Sequence, residues 1–357
     1  MDSVLVLNAG SSTLKFALFE GSNRALGETV EIGIAPAFEA VFERLEGRTP
    51  RAVGHRIVHG GETFTAPVRI APDTLAELES LAPLAPLHIP AELGGIRAVA
   101  MAWPDVPQVA CFDTAFHATM PSLERRFGIP RRFHDRGIRR YGFHGLSYES
   151  IVGQLPLISS RAAGGRTVVC HLGNGASLCG MLAGKSQTTT MGFTPLDGLL
   201  MATRPGRLDP GIVLHLLKTG MSVEAVEQIL EHESGLLGVS GIGSDMRTLL
   251  ASSAREAVEA VQLFCRAVAK EAAAAATVLG GLDAIVFTAG IGERAAPVRE
   301  LICERLTWMG VIIDPTKNSR QGERLHADSS AVEIYRLATD EESVIAAHTA
   351  ANLGSTA

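Results

Sequence analysis

Residues able to do chemistry gather at a few short turns of the 357-residue chain. Asn8-Ala-Gly10-Ser11-Ser12-Thr13-Leu-Lys15 sets a carboxamide, hydroxyls and an ammonium around a glycine. Backbone N–H groups, hydroxyls and one cation suit phosphate oxygens, and glycine lets the backbone approach a ligand. A plain turn of small polar residues uses the same letters. Arg56 lies with His55 and His59 in an apolar run from Ala52, where a guanidinium is costly to bury unless an anion or carboxylate partners it. Asp113 ends the apolar run Gln108–Phe112; an acid there fits both ligand chemistry at a sheet's C-terminal edge and an ordinary turn. His144 sits between Phe143 and Gly145, just after Arg139-Arg140, and reads as a structural histidine or as part of an oxyanion-rich site. Thr203-Arg204-Pro205-Gly206-Arg207 is a glycine/proline loop with arginines.

These turns need strands and helices to hold them. Val4–Leu7 is too apolar for a surface strand, and the run after Thr13 returns to a turn at Glu20-Gly21, so the opening reads as a β-hairpin with its chemistry at the bend. The figure recurs: Thr167–Leu172, a bend with His171, Gly173, Asn174, Gly175 and Ser177, and a return to Leu182. Two such hairpins suggest a duplicated domain, although Asn-Gly is a common hairpin bend by itself. Gly184-Lys185-Ser186 resembles a P-loop ending, but the glycine required upstream is replaced by Cys179, so it reads as a hairpin turn. Asp283–Thr288 runs into Ala289-Gly290-Ile291-Gly292-Glu293, with a helix from about Ala295, a geometry that receives anions. Helical spacing marks Ala35–Leu45, Ala91–Ala102 and Ser253–Leu279, the last with apolar Val258, Val261, Cys265, Val268, Ala272 and Ala275. Thr339 to Glu342 has capping-box spacing ahead of a helix over Ser343–Asn352, which makes Glu341 a first-turn acid.

Composition limits the partners. Apolar residues make up 46% and charged residues 20%, the balance of a soluble globular protein long enough for two domains. The formal charge of −6 leaves no basic footprint, so neither nucleic acid nor a membrane surface is expected. No stretch is long and apolar enough to span a bilayer and no signal pattern opens the chain, so a cytoplasmic location is expected. Five scattered cysteines without a Cys-x-x-Cys pair read as buried free thiols.

In this order, the segments Leu-Asn-Ala-Gly-Ser-Ser-Thr-Leu-Lys-Phe, Gly-His-Arg-Ile-Val-His-Gly-Gly-Glu, Phe-Asp-Thr-Ala-Phe-His, Arg-Arg-Tyr-Gly-Phe-His-Gly, His-Leu-Gly-Asn-Gly-Ala-Ser, Met-Gly-Phe-Thr-Pro-Leu-Asp-Gly and Phe-Thr-Ala-Gly-Ile-Gly-Glu resemble the acetate kinase family. That resemblance implies an α/β fold of two duplicated ribonuclease H-like (actin-like ATPase) domains with an interdomain active-site cleft. The first would hold residues 1–115 plus 343–357, and the second residues 116–342. It also implies a homodimer and reversible transfer of the terminal phosphoryl of ATP to acetate, giving acetyl phosphate and ADP. The alternatives are a propionate or butyrate kinase, a pyrophosphate-dependent enzyme, and, in another class, an actin/Hsc70-like nucleotide switch.

Carried over position by position, Arg56, Asp113, His144 and Arg204 resemble the catalytic set. Asn8, Asp113 and Glu341 resemble the groups around Mg²⁺ (or Mn²⁺). Ser11, Ser12, Lys15, His171, Asn174, Gly175, Asp245, Arg247, Gly290 and Ile291 resemble the nucleotide contacts, and Arg56, Val58, Leu87, Phe143 and Pro195 the acyl-substrate pocket. The chain departs from the family pattern at Ile89, Leu146, Tyr148, Ala202, Pro205, Arg207 and Arg294. Arg294 would sit at the edge of the adenosine pocket, where a cation bears on the choice of phosphoryl donor.

Overall fold

The structure, a computed structural model, describes residues 3–9, 13–31, 37–86 and 88–354. They divide into two compact units, one of residues 1–118, 143–150 and 340–357, the other of residues 119–142 and 151–339.

In the first unit, β1 (Ser3–Ala9) and β2 (Thr13–Glu20) pair antiparallel, with Asn8 opposite Lys15. β3 (Asn23–Glu31) adds antiparallel to β2, while β4 (Ala52–Ile57) runs parallel to β1. β5 (Val68–Arg69) and β6 (Gln108–Phe112) complete a sheet of order β3-β2-β1-β4-β6-β5. The apolar character of β1 follows from burial on both faces. Leu5 and Leu7 pack with Leu14, Phe16, Val41, Leu45 and Val99, and Val4 and Val6 pack with Phe19, Val109, Ile345 and Ala346. The helices Ala37–Arg44 and Ile89–Ala102 cover the first face and Glu341–Gly354 the second. Gly54 permits the last of these: a Cβ there would lie 2.3 Å from Thr349 Oγ1 and 2.6 Å from Ile345 Cγ2.

The second unit repeats the plan. β7 (Arg166–Leu172), β8 (Ala176–Leu182) and β9 (Lys185–Thr189) form an antiparallel meander. β10 (Ala284–Thr288) and β11 (Glu333–Arg336) extend it in parallel, giving the order β11-β10-β7-β8-β9. Apart from the short edge strand β5, the two sheets share one order and one pattern of directions, as duplication requires. The tight turn at Ala183-Gly184, both with positive φ, makes the Gly-Lys-Ser stretch a hairpin.

Several element boundaries differ from the sequence reading. A short 3₁₀ turn, Ala82–Leu84, precedes the next helix, which starts at Ile89 rather than Ala91 with Pro90 in its first turn, where a missing N–H costs nothing. The long helix, Arg255–Leu279, buries Ala257, Ala260, Val261, Phe264, Cys265 and Val268, whereas Val258 is exposed. Its inward stripe is therefore set one position away from Val258. At the last helix the cap is Asp340 rather than Thr339: its carboxylate accepts from the Ser343 N–H at 3.0 Å and from the Ser343 hydroxyl. Asp caps a helix at least as well as Thr, so spacing alone picks the wrong one of two adjacent candidates. All five cysteines are free and buried, and loss of solvent pushes the thiols of Cys170 and Cys179 up to about 12.

Candidate active site

The first unit gathers its charged groups where its parallel strands end. Arg56, near the end of β4, makes a bidentate bond to Asp113, just beyond β6, with Nε to Oδ1 at 3.0 Å and Nη2 to Oδ2 at 2.5 Å. Its Nη1 donates to Asn8 Oδ1 at 3.3 Å, so three neighbouring strands meet in one cluster. Asp113 is buried and Arg56 keeps a sixth of its side chain exposed, leaving a cation partly open to a ligand. Burial alone would depress the guanidinium, but its acidic neighbours, Asp113 foremost, outweigh it and raise the pKa, so Arg56 is a permanent charge. Glu341, at the start of the last helix, is half-buried. Loss of solvent, reinforced by Asp113 and Glu342, lifts its carboxyl to about 7 against the pull of Arg56 and Lys15. Two acids and a carboxamide near one arginine offer hard oxygen donors of the kind that Mg²⁺ or Mn²⁺ takes.

The histidines of β4 need no anion. His55 bonds Gln108 Oε1 at 2.7 Å, and burial lowers its pKa to about 4, so it is neutral. Burial lowers His59 to about 4 as well; its Nδ1 accepts from the Gly61 N–H at 2.9 Å and its ring meets Phe143 edge-on at 5.5 Å. Val58 and Phe143 are both buried beside this group.

His144 takes φ +61°, a left-handed conformation that is uncommon outside glycine and tends to mark functional sites. The next residue explains how it is held. The Gly145 N–H donates to Asp113 O at 2.9 Å, and a Cβ on Gly145 would lie 2.2 Å from that same oxygen. The start of the Gly145–Ile158 helix is thus clamped to the strand end bearing Asp113. Ser11, Ser12 and Leu87 lie outside the described residues, and Lys15 is exposed on β2.

In the second unit, His171 at the end of β7 pairs in register with Thr288 at the end of β10, which brings the two glycine-rich segments together. Gly173 N–H bonds Gly175 O, and Asn174 O accepts from Ala202 N–H, tying the bend to the segment before Arg204. Ala289 has φ +63°, and Gly290 and Ile291 belong to a short helical turn, Ala289–Arg294, where the sequence reading has a loop. The buried Arg299, rather than the exposed Arg294, braces that turn: it donates to Gly292 O at 2.8 Å, Glu293 O at 2.9 Å and Asn318 Oδ1 at 2.8 Å. Arg204 pairs with Glu231 at 3.4 Å and donates to Pro195 O at 3.2 Å. Asp245 caps the helix Met246–Ala251 and pairs with the exposed Arg247 at 2.6 Å; that bond lowers the Asp245 carboxyl to about 2.

One functional candidate escapes the motifs. Glu92 is buried on the Ile89–Ala102 helix, and both its oxygens accept from the Val58 N–H, at 3.1 and 3.2 Å. Its signal is an acid on the apolar stripe Ile89, Leu93, Ile96, Val99.

A repeated meander with parallel additions, charged strand ends in one copy and glycine-rich bends in the other, defines a duplicated ribonuclease H-like α/β protein of the actin-like ATPase kind. The profile of the Acetokinase family matches residues 46–347, and the chain belongs to that family. It is 46% identical to an acetate kinase of Rhodopseudomonas palustris, the match covering 97% of each chain. Among solved structures it resembles a propionate kinase from Francisella tularensis (37% identity, TM-score 0.91, 98% of this chain and 100% of that one). It also resembles the Porphyromonas gingivalis acetate kinase (32%, TM-score 0.90, 99% and 100%).

Proposed function

We propose that the protein is an acetate kinase, transferring the terminal phosphoryl group of ATP directly to a carboxylate oxygen of acetate, reversibly, to give acetyl phosphate and ADP. The observation that carries this reading is the Arg56–Asp113–Asn8 cluster, a fixed and partly accessible cation at the ends of three adjacent strands. Acetate is already a nucleophile, so no general base is required, and the work left to the protein is positioning and neutralising charge on the moving phosphoryl. Arg56, His144 and Arg204 supply that neutralisation. The family resemblance assigns Val58, Phe143, Leu87 and Pro195 to the methyl group of the acid. Ser11, Ser12, Lys15, His171, Asn174, Gly175, Asp245, Arg247, Gly290 and Ile291 hold the nucleotide. Asn8, Asp113 and Glu341 would hold Mg²⁺ or Mn²⁺, which would supply positive charge to offset that of the phosphate oxygens. We further propose a cytoplasmic enzyme acting as a homodimer; its buried free thiols suit a reducing compartment.

The likeness to a propionate kinase supports a second reading, a preference for a longer acid. One methylene is worth only about 1–3 kcal/mol in an apolar pocket. Comparing kcat/KM for acetate, propionate and butyrate with ATP, GTP and pyrophosphate decides. Acetate with ATP is expected to be highest; a higher value for propionate selects the second reading, and ATP turnover indifferent to any of the acids rejects both.

A further inference from the structure

Glu92 is a buried acid that the proposed transfer does not use. A glutamate in a helix's first turn ordinarily faces water or bonds its own helix N–H groups. Glu92 instead reaches across to β4, where both oxygens converge on the Val58 N–H, two residues beyond Arg56 and next to His59. Burying a carboxyl behind a single backbone donor costs stability, a cost the bond offsets only in part. Here it fixes the backbone at Val58, a residue of the proposed acyl site.

We propose that Glu92 is a positioning residue for the acyl acceptor: a strut from the helix Ile89–Ala102 that sets the backbone at Val58, and so the distance between the pocket wall and Arg56. This rests on the carboxylate-kinase reading. The charged groups facing Glu92 are Arg56 and Asp113. Burial lifts its carboxyl to about 8, opposed by Arg56 and the Val58 N–H, so at neutral pH it is largely protonated and does not cancel the charge that Arg56 offers an anion. A carboxamide therefore reproduces the strut.

The test compares Glu92→Met, which keeps length and volume but has no oxygen, with Glu92→Gln, which keeps the acceptor. Both are assayed in the intact enzyme for acetate KM, ATP KM and the acetate-to-propionate ratio of kcat/KM. Loss of one buried hydrogen bond predicts that Glu92→Met raises acetate KM about tenfold and shifts the acid ratio, with ATP KM within twofold. Glu92→Gln restores acetate KM to within about twofold of the wild type. Equal rises in acetate and ATP KM would make the residue merely structural, and unchanged acetate KM in Glu92→Met would remove the strut. A Glu92→Gln enzyme as impaired as Glu92→Met would show that charge, not the bond, matters; each of these overturns the proposal. Should Glu92→Met not fold, Glu92→Ala takes its place under the same criteria. Wild-type enzyme inactive with every short acid would instead reject the underlying reading.

Discussion

The two sheets share one strand order yet spend their strand ends differently. In the first, the C-terminal ends of β1, β4 and β6 carry Asn8, Arg56 and, one residue beyond β6, Asp113, with Glu341 and Glu92 close by. In the second, the ends of β7 and β10 carry His171 and Thr288, followed by small residues held in tight bends. The same frame thus presents concentrated charge in one copy and close-approaching backbone in the other. In the proposed reaction the first would serve the group that moves, and the second a nucleotide that must be held and released.

Breaking the charged copy is expected to have the largest effect. Arg56→Ala should lower kcat by about 10³-fold, with ATP KM changed only a few-fold, as measured by steady-state kinetics. A loss under tenfold would dissolve the division of labour. Next comes the brace of the second copy: Arg299→Met leaves carbonyls of the Gly292–Glu293 turn and the Asn318 side chain without their donor. Chemical denaturation should show a loss of about 3 kcal/mol, and surviving enzyme should show a raised ATP KM with acetate KM little changed. Gly145→Ala drives a methyl into the carbonyl of Asp113 and should cost about 2 kcal/mol while lowering kcat through the displaced acid.

The fourth effect is read against pH. Glu92 has a folded pKa raised from 4.5 to about 8, so the folded chain binds a proton that the unfolded chain has released. Stability from this group is fully present below 4.5 and is lost as pH rises toward 8. The stability of Glu92→Gln relative to the wild type should therefore grow by about 1 kcal/mol per pH unit across that window and level off above it. A difference independent of pH would contradict the burial of an ionisable group there.

Both hairpins are legible in the sequence because a strand buried on both faces reads as an unbroken apolar run and a bend reads as glycine with Asn or Ser. The strand ends at Arg56 and Asp113 stand out because charge interrupts such a run. What escaped is instructive. β3 is an exposed edge strand, and its polar letters, Asn23–Glu31, carry little alternation. The turn Ala289–Arg294 reads as loop because glycines lack helix propensity, and Arg299, ten residues beyond Ala289, holds it from outside the motif. Glu92 pairs only with main chain, and no side-chain spacing records that bond. The roles of His144 and Arg204 came from the family resemblance; their letters alone fit structural duties equally well.

Phosphoryl transfer to a carboxylate is tested most directly by trapping the product. Incubating the enzyme with ATP, Mg²⁺ and acetate in hydroxylamine should yield acetyl hydroxamate in step with ADP, one for one, and neither in appreciable amount without acetate. ADP released at the same rate with or without acetate, and no hydroxamate, would contradict it.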